Sequence, residues 1–285
     1  MLEFEEVAQL VLDATAFGAV AGSDRSGFDR ITFRPHAMTP TLDLDLTVTL
    51  FGEPHFAPIV VGPIAEQRRF HRDGEIATAR GASAAHAGVT ISNRSSAAIA
   101  DIARESKSSL WFAAYLDTPE IRPQIERALA AGCQVLCGAA PPGQPFGTAS
   151  WRSLETLAKS IGVPLLVKGV ASADDAKRAL NAGAKGVVVA GIEPLAAIVE
   201  ATAGRATILV DGSFRRGSDV AKALILGAHA VLIARPIMWG LAAYGAEGVQ
   251  TVLELIQSDL GRTMASLGAV NVKSLTSDMI RIHKR

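Results

Sequence analysis

Cysteine is almost missing from this 285-residue chain: Cys133 and Cys137 are the only two. Two thiols without neighbouring His or Cys pairs make neither a disulfide framework nor a zinc site, and no metal is expected. An excess of either charge is missing too, since 28 basic side chains face 28 acidic ones. Without a bulk field or a long basic patch, nucleic acid and anionic membrane surfaces are not expected as partners. No apolar run is long enough to span a bilayer. The longest near the end, AVLIARPIMWGLAAYG, is interrupted by Arg235 and Pro236. The opening MLEFEEVAQL is acidic where a secretory signal is basic. Linkers and low-complexity stretches are likewise missing. What is present is a chain 49% hydrophobic and 20% charged, which excludes disorder. These features predict a soluble, cytoplasmic protein.

Eight short apolar runs punctuate the sequence: PIVVGPIA from Pro58, GVTISN from Gly88, SLWFAAYL from Ser109, CQVLCGA from Cys133, PLLVKGV from Pro164, GVVVAGI from Gly186, TILVDGS from Thr207 and AVLIARP from Ala230. Between them lie segments such as SADDAKRALNAG and GSDVAKALILGAH, with apolar residues at helical spacing. This alternation predicts an α/β fold. Strands apolar on both faces belong to a parallel sheet, and eight such units predict closure into a single (β/α)8 TIM barrel. One domain over 1–285 is expected, with the barrel at 58–285 and an N-terminal helical and hairpin extension at 1–57. Within the extension DLTVTLFGEPHFAP reads as a hairpin suited to plug the barrel floor, and the tail after Gly240 reads as a closing helix.

In such a barrel, chemistry sits where strands end and loops begin. Those positions hold Pro63, Ile64 and Ala65; Ser92 and Asn93; Tyr115; Cys137; Lys168; Ala190 and Gly191; Asp211, Gly212 and Ser213; Ala234 and Arg235. Many are small, so a flat ligand can lie against the main chain. The strongest constellation joins Asp211-Gly212-Ser213-Phe214-Arg215-Arg216-Gly217, after the seventh run, to Ala234-Arg235-Pro236, after the eighth. That is where barrels of this kind hold phosphate. The plainer alternative pairs Arg215 and Arg235 with carboxylates such as Asp219. Lys168 is expected at the barrel mouth, stabilising negative charge on a ring or intermediate. A salt bridge to Asp211 is the alternative, and the two are compatible. Cys133 and Cys137, four apart, are expected on one strand face, with Cys137 an apolar filler near the rim. His71 is the one histidine of six expected on the rim side.

Together and in this order, FDRITFRPHAM, FAPIVVGPIAEQ, HRDGEIATARGASAAHAGVTIS, VPLLVKGV, LVDGSFRRGSDVAKALILGAHAVLIARP and LIQSDLGRTMASLGAVNVKSL resemble the FMN-dependent α-hydroxy acid oxidases and dehydrogenases, the glycolate and lactate oxidase family. The resemblance covers nearly the whole chain. It implies FMN, with Asp211, Gly212, Ser213, Arg215, Ala234 and Arg235 around the ribityl phosphate. It further implies Lys168 at the N1 and O2 edge, the backbone of Pro63, Ile64 and Ala65 near N5 and O4, and Ser92 at the pyrimidine side. Self-association is implied as well.

The catalytic half departs from the family. Its sixth strand ends in a Ser-Asn-His-Gly-Gly-Arg type motif, whose His takes the hydroxyl proton and whose Arg binds the substrate carboxylate. Here that strand reads GVVVAGIEPLAAIVEA, with Ala190 and Gly191 in the first two places. The family's N-terminal tyrosine falls at Ala14, its glutamine at Ala113, its strand-four threonine at Cys137, and its long lid is cut to PPGQPFGTASW. Tyr115 remains, and with Lys168 it makes the expected catalytic pair. Loss of a general base removes about 10²–10⁴-fold in rate, and loss of the Arg removes orientation. The resemblance, with these departures, therefore implies an FMN-dependent oxidoreductase passing hydride from an atypical small-molecule substrate to flavin N5. The alternative is a degenerate FMN- or phosphate-binding barrel acting as a partner or regulatory subunit.

Overall fold

The computed structural model describes residues 1–22, 24–35, 43–116, 121–140, 144 and 146–283. In chain order its strands are β1 (Ile31–Phe33), β2 (Val48–Leu50), β3 (Glu53–His55), β4 (Ile59–Val61), β5 (Gly88–Ser92), β6 (Leu110–Tyr115), β7 (Val135–Ala139), β8 (Leu165–Val170), β9 (Gly186–Ala190), β10 (Thr207–Asp211), β11 (Ala230–Ile233) and β12 (Ile280–Ile282). Strands β4 to β11 pair in sequence order, and β11 pairs in parallel with β4 to close an eight-stranded barrel. Each of the eight apolar runs supplies one of these strands. The helices that follow them, from Gly74–Ala84 to Arg235–Ser266, supply the outer layer.

Although each run is apolar throughout, the pleat sorts its residues between two compartments. Val60, Trp111, Cys137, Leu166, Val188 and Leu209 meet inside the barrel. Their neighbours Val61, Phe112, Leu136, Val167, Val189 and Val210 pack in the core under the helices. Further along the inner faces of β6, β8 and β10, past Ala113, Leu166 and Leu209, stand Tyr115, Lys168 and Asp211, so the apolar interior ends in polar groups at the C-terminal mouth.

The floor is closed by the β2–β3 hairpin, as its sequence suggested. Its two-residue turn, Phe51-Gly52, has φ of 53° and 89°, the left-handed pair that matches strand twist. Leu50 is fully buried within the inner cluster, and the Phe51 ring meets Trp111 edge-on at 5.8 Å. The rest of the extension wraps the other end. Helices Leu2–Val11 and Ala14–Val20 dock against Arg235–Ser266, Trp239 Nε1 donates to the Val20 carbonyl at 3.1 Å, and β1 pairs antiparallel with β12.

Two expectations need correction. The closing helix starts at Arg235, directly after β11, and bends at Tyr244 and Gly245, where φ is −143° and 59°. At the bend Gly240 and Gly248 approach so closely that a Cβ on Gly248 would stand 2.0 Å from the Gly240 carbonyl oxygen. The two cysteines do not share a face: Cys137 lies in the inner cluster and Cys133 in the outer one. The strand starts only at Val135, and the Cys133 amide donates to Ala128 at the end of the preceding helix, so the period of two does not reach back that far.

Two outcomes follow from this packing. Leu50→Ala should lower unfolding free energy in urea by roughly 2–5 kcal/mol, the range for emptying a buried leucine site; a loss within experimental error would make the hairpin a surface ornament. Burial pushes both thiols up to about 12 from an ordinary 9.0. The folded protein should therefore leave both unreacted with a thiol reagent at about pH 8, while the unfolded chain titrates two. Because unfolding frees them to ionise near their ordinary value, stability should fall as pH rises above about 9.

Candidate functional site

Two cavities open at the C-terminal mouth and share one side chain, Arg235. The larger, about 790 Å³, is lined among others by Pro63, Ser92, Asn93, Tyr115, Lys168 and Arg178. The smaller, about 210 Å³, is enclosed by Asp211 to Arg215, by Leu232 to Pro236 and by Trp239. The structure thus brings together nearly all the residues expected at the site. Ile64 and Ala65 line neither cavity, although the Ile64 carbonyl is fixed by Gln67 Nε2 at 3.3 Å. Parts of the shortened lid, residues 141–143 and 145, lie outside the described residues.

Lys168 and Asp211 form an ion pair where the two cavities meet, each about a quarter exposed. Burial favours the neutral amine, but the Asp211 carboxylate outweighs it, so the Lys168 ammonium is held above its ordinary range. Gly169, at φ 93°, marks a register shift in β8 just past Lys168. The predicted Lys168–Asp211 contact is therefore present.

Around the smaller cavity the chain turns sharply through Gly212, φ 126°, and Ser213, φ 59°. A buried carboxylate fixes this turn. Asp219, 1% exposed, accepts the backbone N–H groups of Arg215 and Arg216 at 3.0 Å each. It also receives both terminal nitrogens of Arg25, at 2.9 and 2.8 Å, while Arg25 Nη1 donates to the Ser213 carbonyl. Asp219 thus takes the Arg215 backbone, not its guanidinium. That group pairs instead with Glu5 at 3.1 Å and stacks over Trp239, and its buried Nε has no hydrogen-bond partner. Arg235 reaches the Gly22 carbonyl at 2.9 Å. Glu5, Gly22 and Arg25 come from the N-terminal extension, 188 to 213 residues away in sequence, and no local signal pointed to them.

In the larger cavity Ser92 Oγ accepts the Arg94 N–H at 3.1 Å, and the buried Asn93 Oδ1 has no partner. The Arg94 guanidinium lies over the Tyr115 ring at 4.9 Å. His71 is not at the site: its ring packs against Gly245 and its Nδ1 accepts the Asp73 N–H. Between β9 and the helix Leu195–Thr202 only Gly191-Ile192-Glu193-Pro194 intervene, with no His or Arg. No histidine is among the described residues lining either cavity.

Over residues 6–140 and 143–282 the sequence matches the FMN-dependent dehydrogenase family. The chain belongs to that family. This FMN-dependent dehydrogenase family member is 31% identical to L-lactate oxidase of Nostoc sp. over 356 aligned positions, covering 99% of this chain and 98% of that protein. It is 31% identical to 4-hydroxymandelate oxidase of Amycolatopsis orientalis, covering 95% of each. The crystal structure of mandelate oxidase with 3,3-difluoro-2-hydroxy-3-phenylpropionic acid matches with a TM-score of 0.90 at 31% identity, over 99% of both chains. Because 356 positions accommodate a chain of only 285, the Nostoc relative carries residues with no counterpart here.

Breaking the Asp219 clip should be expensive. Asp219→Ala strands the Arg25 charge and two backbone donors, and should cost roughly 3–5 kcal/mol in urea unfolding. Removing Glu126 from its exposed pair with Arg122 should cost less than about 1 kcal/mol. Equal losses would refute the clip.

Proposed function

We propose that the protein is an FMN-dependent oxidoreductase, formed as one FMN-binding domain over 1–285, whose small-molecule substrate is not a simple 2-hydroxy acid. The observation that carries the reading is the Lys168–Asp211 pair at the junction of two joined cavities, in a barrel whose connection after β9 holds neither a histidine nor an arginine. The residues present fit FMN. Arg215 Nε is a buried donor without an acceptor, Asn93 Oδ1 a buried acceptor without a donor, and each lines one cavity.

On this reading Arg215, Arg235, Ala234 and the Asp211-Gly212-Ser213 turn hold the phosphate, adding charge-assisted donors to the start of helix Arg235–Ser266. The Pro63 backbone and the Ser92 side chain border the ring, and Ile64 and Ala65, which line neither cavity, continue the Pro63 segment behind it. Lys168 keeps positive charge at the N1 and O2 edge. Because its ammonium is held above the usual 10.5, that charge is constant across neutral pH and is lost only in stronger alkali. Bound FMN supplies the hydride acceptor, at N5. Tyr115 is the polar side chain placed to hold or give a proton on the substrate side. The same reading keeps the cytoplasmic setting and self-association expected from the sequence. Among the described residues no helix is long and apolar enough to cross a membrane.

One observation favours a second reading, an FMN-binding barrel serving as a partner or regulatory subunit: no histidine among the described residues lines the cavities. A compound that bleaches the bound flavin would exclude it.

The binding half is tested by reconstitution. The purified protein should take up FMN, and Arg235→Ala should weaken that binding by about tenfold or more, the worth of one charge-assisted contact, with an unchanged circular dichroism spectrum. Lys168→Ala should leave affinity nearly unchanged but lower the flavin reduction potential, because it removes the cation and leaves Asp211 unpaired beside the ring. A protein that stays colourless in excess FMN, or an Arg235→Ala variant binding as tightly as the parent, would overturn the assignment.

A further inference from the structure

Among the described residues, three cations line the larger cavity: Lys168, Arg178 and Arg235. Two are committed, Lys168 to Asp211 and Arg235 to the Gly22 carbonyl. Arg178 is different. It stands on the second turn of the helix Ala173–Asn181, and its guanidinium rests over the Trp151 ring, 4.4 Å from the centroid. Trp151 is itself buried and packs at 5.0 Å against Phe146. A guanidinium stacked by its face keeps its N–H donors at the edge, where a carboxylate or another oxyanion is recognised. Asp175, one turn earlier and also lining the cavity, makes no ion pair with it: that carboxylate accepts the Ser172 hydroxyl at 2.7 Å in a helix cap. Among the described residues Arg178 has no ion-pair partner.

Position turns this into a statement about substrate. Arg178 lies five residues into its helix, roughly 7–8 Å along the axis from the helix start, and that start is itself beyond the end of the strand carrying Lys168. Lys168 and Arg178 therefore stand on successive elements, the strand and the helix after it, and an anion held by Arg178 is held from the helix side of the cavity. The same cavity has an apolar part to its lining, with Ala139, Ala140, Phe146 and Trp151 among the residues that form it. The cavity, about 790 Å³, is large for a cofactor ring and a two- or three-carbon acid.

We infer that Arg178 binds an anionic group remote from the reacting carbon, so that the substrate is an elongated anion whose apolar or aromatic body lies along Phe146 and Trp151. The inference rests on the FMN reading for the reaction, but not for the contact itself. It moves the anchoring charge from the end of the sixth barrel strand to the helix after the fifth.

The test uses the FMN-loaded protein, titrated with 4-phenylbutyrate, with its uncharged amide, and with oxalate, and read by perturbation of the visible flavin spectrum. 4-Phenylbutyrate should bind, and the amide and oxalate at least about tenfold more weakly. Arg178→Ala should bring 4-phenylbutyrate down to the level of the amide without altering amide or FMN binding, and Arg178→Lys should recover part of the loss. Equal binding of acid and amide, an Arg178→Ala variant with parental affinity for the acid, or a parent that takes up FMN but binds neither phenyl probe would each overturn the inference and leave the FMN reading standing. Failure to take up FMN overturns the FMN reading instead.

Discussion

The Lys168–Asp211 ion pair marks the level at which the barrel stops being a hydrophobic core and becomes a site. Below it the inner face carries Leu166, Cys137, Leu209 and Trp111, with no room for an unpaired charge, and burial there holds the Cys137 thiol neutral. A lysine and an aspartate placed directly above that layer lose hydration and recover it only through each other. Each would be costly alone, and the pair bridges β8 and β10 across the mouth, over the β9 strand that both are hydrogen-bonded to. The two cavities then meet at a point of defined charge.

The smaller cavity depends on a second buried carboxylate, and here the N-terminal extension matters more than its place in the sequence suggests. Asp219 ties the turn after β10 to Arg25, Glu5 holds Arg215, and the Gly22 carbonyl holds Arg235. Two cationic side chains lining this cavity are therefore oriented by residues outside the barrel, and a third beside it, Arg25, is itself supplied from there. The extension closes one end with these contacts and the other with the Leu50 and Phe51 plug. Among the described residues the larger cavity shows no such closure: the connection after β9 is four residues long, and Ala190 at its start is exposed. Ligand-holding parts are over-determined, while parts that would carry out proton transfer on a short hydroxy acid are sparse.

The barrel was legible because parallel strands buried on both faces write themselves as continuous apolar runs, and eight of them in regular alternation admit few other architectures. Residues at strand ends could be numbered directly, so Lys168, Asp211, Tyr115 and Arg235 fell where they were expected. Contacts that depend on distant segments were hidden. Nothing in the neighbourhood of Arg215 points to Glu5, and nothing near Arg178 points to Trp151, because both pairings are made by tertiary packing. Local features failed where a short-range competitor won. The helix end captured Cys133 before the strand began, Gly245 bent a helix that periodicity would have kept straight, and the loop after β4 turned His71 outward against that bend.

The central claim is that this fold keeps its flavin site while having lost the means to oxidise a simple 2-hydroxy acid. Anaerobic mixing of the FMN-loaded protein with L-lactate, glycolate or mandelate, followed by the visible flavin absorbance, tests it most directly. The flavin should stay oxidised with all three and bleach when dithionite is added. Rapid bleaching by any of the three acids alone would contradict the account.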